Sequence, residues 1–192
     1  HPKKGATIKV EPITELKDIK LIKRLLKDKP RDSCLFIMGI NTNLRASDLI
    51  RITAGDVRGK KPGDSLSIKE QKTGKERRIT LNENVINAVK ELLAYKPYQD
   101  TDPLFKSKKG AKALSVPSVN RLVKGWCREI NLKGNYGSHT LRKTFGYMQR
   151  TLLNTSVAEL MVMFNHSSQK QTLDYLCIQP EEIKNAYMQL NL

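Results

Sequence analysis

Cysteine is scarce and poorly placed for covalent bracing. The chain has three, Cys34, Cys127 and Cys177, an odd number at wide spacing with no C-x-x-C pair. That excludes a closed disulfide framework and a zinc site. Each lies among apolar neighbours, so all three are expected as buried or half-buried thiols in a reducing cytosol. Long apolar runs are also missing. None approaches the roughly 18 residues that span a bilayer, and the start, His1-Pro2-Lys3-Lys4, has no apolar core of a signal peptide. Acidic residues are in deficit: 19 Asp and Glu stand against 35 Lys and Arg, a net charge of +16. A solubility surplus on a small domain stays within about 2–8. The excess therefore points to a polyanionic partner, nucleic acid by default.

What is present suits one globular domain. The 192 residues are 39% apolar and 28% charged, enough for a core and too apolar for wholesale disorder. Residues 1–12 are basic, carry a Pro near each end and read as a linker or arm. The apolar spacing predicts helices over about 15–28 (capped by Thr14), 31–42, 44–52, 83–95, 117–130, 139–152, 156–164 and 180–190. Residues 53–63, with three Gly and a Pro, read as loop. Leu66, Ile68 and Glu70 alternate with Ser65, Ser67 and Lys69, and Ile79 and Leu81 resume the alternation after Lys72-Thr73-Gly74-Lys75. That predicts a β-hairpin with a basic tip. In 117–130, Val119, Leu122, Val123, Trp126, Cys127 and Ile130 keep a helical period, which assigns Trp126 to the core. The expected fold is mainly α with a small antiparallel sheet.

Histidine is rare, and two of the three stand in distinctive settings. Ser138-His139-Thr140-Leu141-Arg142 is an H-x-x-R whose His and Arg share a helix face. Asn165-His166-Ser167-Ser168 is followed by Tyr175, nine residues after His166. Upstream lies Asn43-Leu44-Arg45-Ala46-Ser47-Asp48-Leu49, and between them Lys72 sits in the hairpin. Each has an ordinary structural explanation when taken singly. Neither His has an Asp or Glu at ligand spacing, which argues against a metal site.

In this order the segments resemble the tyrosine recombinase (phage integrase) family over about residues 14–187. Members carry an Arg in an L-R-x-S-E/D-L segment, a Lys on a β-hairpin, an H-x-x-R, a G-H-S-S-like turn and then a Tyr. Two glycines of that pattern are here Asn43 and Asn165. Asn is the residue that best replaces Gly at positive φ, so both backbone turns are expected to survive. Lys143 stands where many members carry a further His.

The resemblance implies the catalytic domain of a site-specific DNA recombinase, residues 13–192, lacking the N-terminal domain that completes a clamp on DNA. It implies strand transfer through a 3′-phosphotyrosyl link with Tyr175 as nucleophile. Arg45 and Arg142 would clamp the phosphate, His139 would act as base, Lys72 as general acid and His166 as hydrogen-bond donor, with Asp48 supporting. Lys75, Arg77, Arg78, Lys106, Lys108, Lys109, Lys112 and Lys143 would meet DNA. No cofactor or metal is implied, and no membrane. The expected partners are double-stranded DNA and further copies in a synaptic tetramer, with the isolated chain a monomer in the bacterial cytosol at the nucleoid. Tyr187, 21 residues after His166, is the rival nucleophile. A type IB topoisomerase-like enzyme and a non-catalytic DNA-binding module are the competing functions.

Overall fold

The computed structural model describes residues 9–108, 110–178 and 180–190. The element order is α1 (Leu16–Leu25), α2 (Pro30–Thr42), α3 (Ala46–Leu49), α4 (Ala54–Val57), β1 (Ser65–Lys69), β2 (Glu76–Thr80), α5 (Glu83–Tyr95), α6 (Val116–Glu129), α7 (Ser138–Leu153), α8 (Val157–Phe164), α9 (Gln169–Leu176) and α10 (Pro180–Gln189). Helix α2 lies at the centre, packed on α5 and α7, and α6 covers α7 and α1. The α2–α7 approach is close because residue 39 is glycine. A Cβ there would stand 2.5 Å from Leu141 Cδ1. Phe36 and Trp126 meet edge-to-face at 5.9 Å, which places Trp126 in the core as its spacing predicts.

The hairpin pairs antiparallel with Leu66 opposite Ile79 and Lys69 opposite Glu76. Leu66, Glu70, Arg77, Ile79 and Leu81 are buried on its inner side. A second, smaller cluster gathers Phe145, Leu160, Phe164 and Leu176, with Tyr175 packed against it. Among the described residues no helix is long and apolar enough to cross a membrane.

The expected elements need four corrections. Thr14 does not cap α1. The N-cap is Glu15, without a side-chain bond, because Ile13 is drawn into the core and its N–H donates to Thr144 Oγ1 at 2.9 Å. The expected loop 53–63 holds α4, nucleated by a reciprocal Thr53–Asp56 capping box. The helix expected over 44–52 shrinks to α3, since Asn43 is left-handed and Arg45 extended. Helix α9 was not expected at all. Of the arm, residues 9–12 dock: Glu11 N–H donates to Asn135 O at 2.8 Å, and Asn135 Nδ2 donates to Lys9 O at 2.9 Å. Residues 1–8 lie outside the described residues.

Candidate active site

Asn43 ends α2 at φ 58° and Asn165 ends α8 at φ 54°. These are the two asparagines expected to stand in for glycine. Each left-handed turn stops a helix and redirects the chain. The first delivers Arg45 at the N-cap of α3, the second His166. Gly74, at φ 68°, closes the hairpin tip, its N–H donating to Glu70 O at 2.9 Å. That tip exposes Lys72, Thr73 and Lys75. Asp48 is buried under the tip and accepts from Gln71 N–H at 2.9 Å. It therefore anchors the segment that carries Lys72.

The start of α7 is set by two side chains. Thr140 Oγ1 accepts from Gly137 N–H at 2.9 Å, and Asn120 Oδ1 from Ser138 N–H at 3.1 Å. One turn on, Arg142 is 1% exposed. Its Nη1 donates to Asn43 O at 2.9 Å and its Nη2 to Phe164 O at 3.0 Å. One guanidinium thus fastens both asparagine turns. Its Nε is buried without a hydrogen-bond partner, so the group has a donor to spare.

Tyr175 on α9 is half-buried. Its ring centroid lies 5.3 Å from Phe164 and 5.2 Å from His166, with Arg142 Cζ at 5.4 Å. His166 stacks on Phe164 at 5.1 Å and 13°. Arg45, Lys72, His139, His166 and Tyr175 line one cleft of about 490 Å³, with Arg142 packed beneath the tyrosine ring. Six residues spread over 131 positions of sequence converge there.

The charges in this cleft act on its imidazoles. Burial first, then Arg142, Arg45 and Arg77, push His166 down to about 4. Its Nε2 lies 3.4 Å from Arg142 Nη2 and its Nδ1 3.0 Å from Thr172 Oγ1. Guanidinium only donates, so the neutral ring accepts at Nε2 and carries its proton at Nδ1, facing Thr172. Burial against the cleft walls, then Arg142, Lys143, Arg45 and Lys72, lower His139 as well, although its ring still meets solvent. Both rings are therefore neutral at pH 7 and able to take a proton. Burial, then Arg45 and Arg77, lower Arg142, which remains charged as guanidinium does.

The residues expected to meet DNA divide. Lys75 lines the cleft, and Arg78, Lys108 and Lys112 are exposed. Lys106 is partly occupied, paired with Asp102 at 2.7 Å. Arg77 and Lys143 are buried instead. Arg77 donates to Asn43 O at 3.1 Å and Met163 O at 2.5 Å, a scaffold contact. Lys143 Nζ sits 5.9 Å from the Tyr175 ring centroid. Lys109 lies outside the described residues. Tyr187 is 80% exposed on α10 and does not line the cleft. The sequence reading missed Glu70, which pairs with Arg45 at 2.9 Å and Arg77 at 3.4 Å. Its place one residue past β1, continuing the inward parity of Leu66 and Ile68, was the available signal.

This geometry agrees with three comparisons. The profile of the phage integrase family matches residues 13–182. The chain belongs to the phage integrase family. It is similar to the probable integrase/recombinase YoeC of Bacillus subtilis, 37% identical over 181 residues, covering 93% of this chain and 95% of that one. It is also similar to tyrosine recombinase XerC of Caldanaerobacter subterraneus, 31% identical over 162 residues, covering 82% of this chain and 44% of that protein. Among solved structures, XerH recombinase bound to palindromic difH substrate in a post-cleavage complex superposes with a TM-score of 0.76 at 18% identity, over 95% of this chain and 53% of that one. The chain thus spans nearly all of YoeC and about half of the XerC and XerH chains. The mostly helical body with one two-stranded sheet is the tyrosine recombinase catalytic-domain fold.

Proposed function

We propose that this chain cuts and rejoins DNA at specific sites as a tyrosine recombinase, with Tyr175 forming a covalent 3′-phosphotyrosyl intermediate. The observation that carries the reading is the convergence of Arg45, Lys72, His139, His166 and Tyr175 on one cleft above Arg142. A phosphodiester is negative and repels nucleophiles, and charge grows on its non-bridging oxygens in the transition state. Arg45, which lines the cleft, meets that charge with fixed donors, and Arg142, packed beneath the Tyr175 ring, adds a second guanidinium charge. Tyr175 Oη attacks phosphorus while its proton passes to His139, neutral at pH 7. The departing 5′-oxygen takes a proton from Lys72 on the exposed hairpin tip. His166 shares its Nε2 face with Arg142 in the free protein. An arriving phosphate competes for that arginine, and the single ring proton moves from Nδ1 to Nε2 by exchange with solvent while Thr172 Oγ1 turns to donate to Nδ1, which makes His166 a donor to the phosphate. Attack by a new 5′-hydroxyl reverses the steps and rejoins the strand, with the phosphodiester energy held in the tyrosyl ester.

The partner is double-stranded DNA, reached through the +16 charge and the exposed lysines beside the cleft. XerH was solved on difH DNA, and this chain takes a DNA duplex in the same reading. Residues 13–192 form the catalytic domain, residues 1–12 lead into it, and a synaptic tetramer assembles on paired sites. Helix α10 buries no residue and leaves Ile183, Tyr187 and Met188 exposed, with Leu190 exposed just past it, as a segment docking on another protomer would.

The test is a suicide-substrate assay with a pool of nicked duplexes carrying randomised arms. Wild type should yield a denaturation-resistant protein–DNA adduct, and Tyr175→Phe should not. An adduct from both would move the nucleophile elsewhere, to Tyr187 first. No adduct from either, with tight DNA binding, would establish a non-catalytic DNA-binding module.

A further inference from the structure

The mechanism leaves the deeply buried carboxylate of Glu70 unused. Glu70 is 1% exposed and its carboxylate is shared among four parts of the fold. Oε2 forms an ion pair with Arg45 Nη1 at 2.9 Å, beside the cleft, without hydrogen-bond geometry, and accepts from Thr73 Oγ1 at 2.7 Å, in the hairpin tip. Oε1 takes Arg77 Nη1 at 3.4 Å, from the opposite strand. Asn165 Nδ2, next to His166, stands 3.4 Å from Oε2. Burial alone would raise the Glu70 pKa, but the bond from Thr73, the contact with Arg45 and the charges of Arg45 and Arg77 outweigh it and hold the carboxyl ionised.

A buried ion pair is a weak device for stability, since apolar replacements of the same volume do as well or better. Geometry is what such a pair supplies. Three guanidiniums, Arg45, Arg77 and Arg142, crowd this corner; burial first and then the charge of Arg45 lower Arg77, and burial followed by Arg45 and Arg77 lowers Arg142. Glu70 is the only carboxylate given a salt bridge to any of them among the described residues. Without it, Arg45 has no fixed edge and is repelled toward the cleft.

We propose that Glu70 is a positioning residue for strand cleavage. It holds the Arg45 guanidinium by one edge and, through Thr73, locks the hairpin tip bearing Lys72 to it, so that phosphate clamp and proton donor keep one mutual geometry. The inference rests on the roles given above to Arg45 and Lys72.

Glu70→Gln preserves volume and an acceptor for Thr73 while removing the charge. Adduct formation on a nicked duplex recovered from the randomised pool should slow about 10- to 100-fold, the scale of a misplaced reacting group. The Kd for the same duplex should stay within about threefold, because the charged groups facing the cleft remain. Glu70→Asp should recover part of the rate. In an Arg45→Ala background, Glu70→Gln should add nothing, since the group it positions is gone. Where Glu70→Gln alone is unfolded at the assay temperature, Glu70→Gln/Arg77→Gln is compared with Arg77→Gln, which removes the buried partner charge. A folded Glu70→Gln that forms adduct at the wild-type rate, or one equally harmful with and without Arg45, overturns the proposal and makes Glu70 a structural ion pair. No adduct from wild type overturns the recombinase reading itself, and this inference with it.

Discussion

The two hydrophobic clusters differ sharply in size, and the catalytic candidates divide between them. The large core joins α1 to α7 and includes Phe36, Leu35, Met38, Val89 and Trp126. The small one has four buried members, Phe145, Leu160, Phe164 and Leu176. Arg45, Lys72 and His139 are mounted on the large core or on the hairpin packed against it. His166 and Tyr175 are mounted on the small one. Arg142 bridges them through Asn43 O on one side and Phe164 O on the other. Elements with few buried contacts open at lower free-energy cost than a domain core. The scaffold that would hold the phosphate is thus the harder of the two to open, whereas the proposed nucleophile rides on a unit whose position can be adjusted at lower cost.

The largest effect expected from breaking this division is chemical. Tyr175→Phe should abolish adduct formation and leave the unfolding free energy from urea melts within about 0.5 kcal/mol of wild type. Phe164→Ala should cost about 3–5 kcal/mol and also remove the surface on which His166 and Tyr175 lie. Phe36→Ala should cost a similar amount, yet its adduct rate per folded molecule, measured by single turnover with the folded fraction taken from circular dichroism, should stay near wild type. Equal per-molecule losses in the two variants would end the distinction between the clusters.

Hydrogen exchange sharpens the comparison without any substitution. Amides of α8 and α9 should exchange through a partial opening at several-fold higher rates than those of α2 and α5, which wait for global unfolding. The histidines give a pH signature. Free imidazole titrates near 6.5, and both His139 and His166 are lowered in the folded chain. Below pH 6.5 the unfolded chain binds protons that the folded one does not, so stability present above 6.5 is lost as pH falls toward about 4 for His166. Urea midpoints at pH 7 and pH 5 should differ less in His166→Gln than in wild type. The single-turnover cleavage rate should stay high at pH 6.5, where an unperturbed imidazole base would be half-protonated. The smallest effect belongs to the C-terminal edge, at a half-buried pair. Arg150 pairs with Glu182 and ties α10 to α7. Glu182→Ala should cost under about 1 kcal/mol in a thermal melt.

Much of the site was legible because its residues are rare types in ordered segments. Two internal histidines, an H-x-x-R and a tyrosine nine residues beyond the second histidine mark it without any fold. Positive φ at Asn43 and Asn165 was legible because few other side chains tolerate that backbone. Helix α9 was not: only Thr172 and Leu176 of it are buried, too few to establish a period. The inward facing of Arg77 was present in the parity of Arg77, Ile79 and Leu81, but its charge argued for the surface. Lys143 misled for the same reason, since basic side chains are seldom buried.

Composition and periodicity by themselves determined a basic, mainly helical domain with one hairpin, and the resemblance of its ordered motifs to the tyrosine recombinase family named the six candidates for strand transfer. They did so because hydrophobic period and backbone tolerance are local properties that a chain carries into any fold. Only the tertiary structure decided which charges meet. Glu70 finds Arg45 and Arg77, Arg142 ties the two asparagine turns together, and Lys143 leaves solvent for the side of Tyr175. Burial and pairing of charge depend on distances between segments far apart in sequence, and those distances exist only once the chain has closed around its core.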